Sequence, residues 1–110
     1  MIYTDEDILN MLKALANQTR LQIMTWLSDA DAAFAGCSEH GEPGLPGWGG
    51  ACVGTIQKKA SVSQSVISSY LRTLLNAQLL EARRDGKWTY YRVNRNAVSA
   101  LSQYIDALRP

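Results

Sequence analysis

The chain has 110 residues, 46% hydrophobic and 19% charged, a globular balance at the length of one domain, 1–110. No apolar run approaches the ~20 residues of a membrane span, and two cysteines are too few for a disulfide framework. The net charge of +1 is unevenly placed: residues 1–53 hold two basic and seven acidic side chains, residues 54–95 eight basic and two acidic. That asymmetry predicts one polyanion-facing surface in the second half. The acidic opening MIYTDEDILN lacks a signal-peptide profile, so a cytoplasmic location is expected.

Ile8, Leu9, Met11, Leu12 and Leu15 recur at helical spacing, predicting a first helix over Asp5–Leu15 capped by Thr4. Asn17 is the expected cap of a second helix that offers Leu21, Ile23, Met24 and Leu27 to the core. Residues 29–50, rich in Gly and holding two of the three prolines, read as an irregular insertion loop. A short third helix is expected over Ala51–Lys59, with Val53 and Ile56 inward, followed by a turn at residues 60–62. Ser63 caps a fourth helix reaching about Ala77, with Ile67, Leu71, Leu74 and Leu75 as its inner stripe. Leu79–Arg84 and Lys87–Val93 read as strands joined by an Asp85-Gly86 turn. A last helix over Asn96–Leu108 carries the stripe Ala97, Val98, Leu101, Tyr104, Ile105 and Leu108.

The fourth helix is the informative one. Burying Ile67, Leu71 and Leu74 leaves Gln64, Ser65, Ser68 and Ser69 outside near its N-terminus, with Arg72 further along. Glutamine can pair in bidentate fashion with adenine, serine can bond several bases, and Val66 can touch a thymine methyl. Serines are poorer helix formers than the Glu and Lys usual on a solvated surface, so a merely amphipathic helix explains them less well. Behind this helix, Arg83, Arg84 and Lys87 bracket the hairpin turn, where no core packing requires them and phosphates can be reached. Trp88, Tyr90 and Tyr91 read as residues that pack the hairpin on the helices. The expected architecture is mainly α with one β-hairpin, a winged helix–turn–helix placing one helix in a DNA groove.

Three blocks, LKALANQTRLQIMTWL, SVSQSVISSYLRTLLNAQLL and EARRDGKWTYYRV, resemble the ArsR/SmtB family of bacterial winged-helix repressors in order and spacing. The resemblance implies a homodimer that binds a roughly palindromic operator in double-stranded DNA, represses transcription, and is released by an inducer. It also implies dimer contacts from the first and last helices, here Ile8, Leu12 and Leu15 with Leu101, Tyr104, Ile105 and Leu108. Both stripes exceed what a small core absorbs.

The inducer is less legible. Metal sensors of this family often carry Cys-Val-Cys in the third helix; here Cys52 matches the first cysteine and Gly54 replaces the second. The family's other common site needs histidine on the last helix, which has none. Cys52 is open to three readings: a small buried hydrophobe, half of a reversible disulfide with Cys37, or a metal or metalloid ligand with Cys37 and His40, near Glu39 and Glu42. No cofactor is required by any of these residues, and no catalytic constellation is evident. The rival to a DNA-binding repressor is a winged-helix protein-interaction module without base specificity.

Overall fold

The computed structural model describes residues 2–36 and 43–110. The first helix, α1 (Asp5–Leu15), begins where expected. Thr4 Oγ1 accepts from the Asp7 N–H at 3.1 Å, and the Asp7 carboxylate accepts from the Thr4 N–H at 2.9 Å. This reciprocal capping box satisfies two donors that the helix start leaves open. At its other end Arg20 Nε donates to the Ala14 carbonyl at 2.6 Å, covering an acceptor of the last turn. The second helix, α2 (Gln18–Ser28), starts after Asn17, whose side chain accepts from the Arg20 N–H at 3.0 Å. Ile23 and Leu27 are buried, but Leu21 is 51% exposed. Leu21 lies two residues, about 200° of helical rotation, from Ile23, so α2 turns it outward.

The described parts of the insertion, residues 29–36 and 43–50, are more ordered than its composition suggests. Asp29 opens a one-turn helix, α3 (Ala30–Ala33), and Phe34 is fully buried, edge-on to Trp26 with ring centroids 6.2 Å apart. From Pro43 the chain returns to the body: Leu45 and Gly49 form an isolated bridge, and the Cys52 N–H donates to the Pro43 carbonyl at 3.1 Å. Ala51 and Cys52, expected at the head of a helix, instead form a two-residue strand, β1 (Ala51–Cys52). They pair with Tyr91 and Tyr90, and only then does α4 (Val53–Ala60) begin.

The next helix, α5 (Gln64–Asn76), is capped by Ser63 and buries Ile67, Leu71 and Leu74. The strands β2 (Leu80–Asp85) and β3 (Trp88–Val93) make the hairpin, and the sheet order is β1-β3-β2, all antiparallel. Asp85 pairs with Trp88, so the two-residue loop is Gly86-Lys87, one position beyond the Asp85-Gly86 turn expected. Gly86 takes φ +62 at the first loop position, as a type II′ hairpin requires of its glycine. The last helix, α6 (Arg95–Asp106), is capped by Asn94. One core joins the inner faces of α1, α2, α5 and α6 to the sheet, with Met11, Ile23, Phe34, Ile56, Leu74 and Leu79 among its fully enclosed side chains. Among the described residues no helix is long and apolar enough to cross a membrane.

Candidate nucleic-acid interface

The α4–α5 unit is joined by Ser61, Val62 and Ser63. Ser61 takes a left-handed φ of 56, which ends α4 and reverses the chain toward α5. Ser63 Oγ accepts from the Val66 N–H at 3.2 Å and lies 3.2 Å from Ser65 Oγ. Ser65 therefore shares the cap's hydrogen-bond network. Gln64, Ser65, Ser68, Ser69 and Arg72 are all exposed, while Val66 is half-buried. Gln64, Ser68 and Arg72 follow one another at four-residue spacing, and Ser65 and Ser69 make a parallel row. The outward side of α5 thus shows short polar groups over its first two turns and a guanidinium beyond them.

The hairpin carries Arg83, Arg84 and Lys87, each exposed. Successive residues of a strand point to opposite sides, so the two arginines do not share a face. Arg84 lies opposite Thr89, in line with the pairs Ala82–Tyr91 and Leu80–Val93, whose Leu80 enters the core. Arg83 lies opposite Tyr90 on the other face. Arg84 Nε donates to the Gly86 carbonyl at 2.9 Å, and Lys87 Nζ stands 5.3 Å from the Trp88 ring centroid. These contacts steady the cations at the tip. Burial raises the Tyr91 phenol above its ordinary value, with the Arg72 charge acting in the opposite direction. The Tyr90 phenol is also raised, first by burial and then by Cys52 and Asp85. Both rings stay neutral, as hairpin packing requires.

Two cations that residue-by-residue reading left aside flank the unit. Lys58 and Lys59 occupy the last turn of α4, where cations suit the helix terminus. Their signal was the charge bias of residues 54–95. Lys59 also stacks 5.2 Å over Trp26.

Known proteins place this geometry. The HTH-type transcriptional regulator YbzH of Bacillus subtilis (strain 168) is 37% identical over 97 residues, 88% of this chain and 93% of that protein. The arsenical resistance operon repressor of the same strain is 34% identical over 89 residues, 81% of this chain and 68% of that one. The chain belongs to the ArsR family of transcriptional regulators. A solved homodimeric winged helix–turn–helix DNA-binding domain from Mycobacterium bovis matches with a TM-score of 0.64 at 23% identity. That match covers 96% of this chain and 87% of the other, and it shows the same fold. No family model matches the chain. In this ArsR-family fold α4 and α5 are the helix–turn–helix and β2–β3 the wing.

The residues expected at a dimer contact divide. Ile8 and Leu101 are buried within the chain's own core, where α1 and α6 pack on each other. Leu15 is half-buried, whereas Leu12, Tyr104, Ile105 and Leu108 are exposed, joined by Leu9 and Val98. Of the sensing candidates, Cys52 alone is among the described residues. Cys37, Glu39, His40 and Glu42 lie outside the described residues. Cys52 is 0% exposed, with Sγ 3.2 Å from the hydroxyl of Thr55, itself buried. Among the described residues no group of three or more His, Cys, Asp and Glu could hold a metal ion.

Proposed function

We propose that this chain is a transcriptional repressor that binds a palindromic operator as a homodimer, with α5 reading bases in the major groove and the wing resting on phosphates. One observation carries the reading. A helix whose first two turns offer Gln64, Ser65, Ser68 and Ser69 to solvent stands beside a hairpin tipped with Arg84 and Lys87. Short side chains let the backbone approach base edges, and the cations supply the sequence-independent attraction. The names of the relatives, one a repressor and the other a regulator, support the same role. Two-fold symmetry sets the half-sites about 34 Å apart, one DNA turn, or a multiple of that. The proposed role is binding, without a catalytic step.

The burial of Cys52 favours a packing role for that residue over a thiol switch or a ligand, since a thiolate ligand or nucleophile needs access. The test of the main reading is selection of duplexes from a random pool, followed by anisotropy titration at two salt concentrations. An inverted repeat should emerge, with affinity falling steeply as salt rises through counterion release. Recovery of no sequence preference, with affinity indifferent to salt, identifies a protein-docking module instead.

A further inference from the structure

An open pocket of about 480 Å³ lies where the end of α1, α2 and α6 meet. Leu15, Met24, Leu79, Val98 and Leu101 give it apolar walls, and Thr25, Ser28 and Ser99 add hydroxyl-bearing positions. Among the described residues, Arg95 is the one ionisable residue in its lining, and no carboxylate joins it there. The Arg95 guanidinium makes one long hydrogen bond, Nη2 to the Ser28 carbonyl at 3.4 Å, and no ion pair among the described residues. A guanidinium offers five N–H donors in a planar fork that fits a carboxylate, so most of its capacity is unspent.

A second cavity, about 540 Å³, shares Ser28, Val93 and Arg95 but is lined by Asp29, Asp31 and Glu81 as well as Arg92. Its Arg92 is already held by Glu81 at 2.9 Å and by the Trp48 carbonyl at 3.1 Å, and lies 4.3 Å from the Trp48 ring centroid. Mixed charge and an engaged arginine give that cavity no preference for one ligand class. The apolar pocket has one: a concave wall of hydrocarbon with a single cation is the pattern that holds a small amphipathic anion.

We infer that the α1–α2–α6 pocket is an effector site for a small apolar carboxylate, its hydrocarbon against Met24 and Leu101 and its carboxylate on Arg95. The binding claim stands on the pocket alone; its regulatory consequence rests on the repressor reading above. Arg95 is separated from the wing strand β3 only by Asn94, which ties the corner before β2 through Nδ2 to the Gln78 carbonyl at 2.9 Å. A ligand on Arg95 therefore acts at the root of the wing. Operator and ligand then change one another's affinity by the same factor.

The test is calorimetric titration of the full chain with phenylacetate, its neutral isostere phenylacetamide, and phenethylamine. Phenylacetate is expected to bind, with phenylacetamide about tenfold or more weaker, the range for loss of a charge-assisted hydrogen bond. Phenethylamine should bind least. Arg95→Gln should bring phenylacetate down to the level of phenylacetamide, and Ser99→Trp, which fills the pocket from an exposed position, should abolish both. Circular dichroism verifies that each variant is folded. Absence of binding at millimolar phenylacetate, including the case in which a second protomer seals the pocket, overturns the inference. So does equal affinity for the three probes, or a carboxylate preference that survives in Arg95→Gln. Operator affinity of the parent chain is measured first, alone and then with phenylacetate. Sequence-selective DNA binding without phenylacetate binding defeats the pocket only. Phenylacetate binding by a chain with no DNA preference defeats the repressor reading only. Binding of both without mutual effect refutes the effector role.

Discussion

Gln78 holds a left-handed φ of 67 just past α5, where Leu79 N–H donates to the Leu74 carbonyl at 3.0 Å and Gln78 N–H to that of Leu75 at 2.9 Å. This is the Schellman arrangement, whose left-handed residue is usually glycine. An L side chain there costs about 1–2 kcal/mol, partly offset by its smaller entropy loss on folding. Gln78→Gly is therefore expected to stabilise the fold by about 0.5–1 kcal/mol in urea denaturation. Gly50 makes the opposite case. It has φ +76, and a Cβ built on it would stand 2.2 Å from the Tyr91 carbonyl oxygen. Gly50→Ala should lose about 2–3 kcal/mol, because the clash is with backbone and only a shift of the β1 edge relieves it. Neither position announces itself in the sequence: a glutamine gives no turn signal, and Gly50 is one of several glycines in the insertion. Cys52 is a third residue whose surroundings come from packing, enclosed beside Thr55. In a Cys37→Ser background its thiol should react with an aromatic disulfide reagent only at the rate of unfolding, reporting global opening. Prompt reaction of the native chain would return Cys52 to the list of accessible sensors.

Under the proposed function, helix α5 and the wing divide the work of binding, and variants in each should fail differently. Gln64→Ala and Ser68→Ala remove groups suited to base edges. They should narrow the gap between operator and random duplex, by about 1–3 kcal/mol where a bidentate contact is lost. Arg84→Ala and Lys87→Ala should weaken all duplexes alike and reduce the slope of log affinity against log salt by about one each. Arg83→Ala, on the opposite face of β2 from Arg84, should change the slope less. Anisotropy on matched and scrambled duplexes at several salt concentrations separates these outcomes. These elements were legible because their signals are local: Ser63 before a leucine stripe, and glycine between two alternating runs. The elements that were not legible depend on distant partners. Ala51 and Cys52 are a strand only because Tyr91 and Tyr90, some 40 residues on, complete the ladder. Helix α3 is a single turn held by Asp29 and by the burial of Phe34 after it. The hairpin loop moved by one residue because pairing of Asp85 with Trp88 fixes the register, and dipeptide preference yields to it.

At the scale of the whole molecule, α1, α6 and the turn after α6 expose Leu9, Leu12, Val98, Tyr104, Ile105 and Leu108 on the chain's outside. Periodicity exposed both stripes but could not apportion them. Leu101 and Ile105 are one helical turn apart in the same stripe, yet the first is 7% exposed and the second 48%. What divides them is how α6 packs on the rest of the chain, a tertiary fact. The two residues therefore make a paired test of assembly. Ile105→Asp places a charge on the outer face, where the folded monomer leaves it in water but a partner's apolar surface must desolvate it. It should shift the protein toward monomer in sedimentation equilibrium with little loss of intrinsic stability, and should weaken operator binding because two linked half-sites become one. Leu101→Ala removes a buried side chain and should cost about 2–5 kcal/mol of folding stability, whatever the dimer does. A dimer that is as tight in Ile105→Asp as in the parent would place the association surface elsewhere. The half-site spacing of about 34 Å inferred from a two-fold pair would then lose its basis, since the separation of the two α5 helices follows from which faces meet.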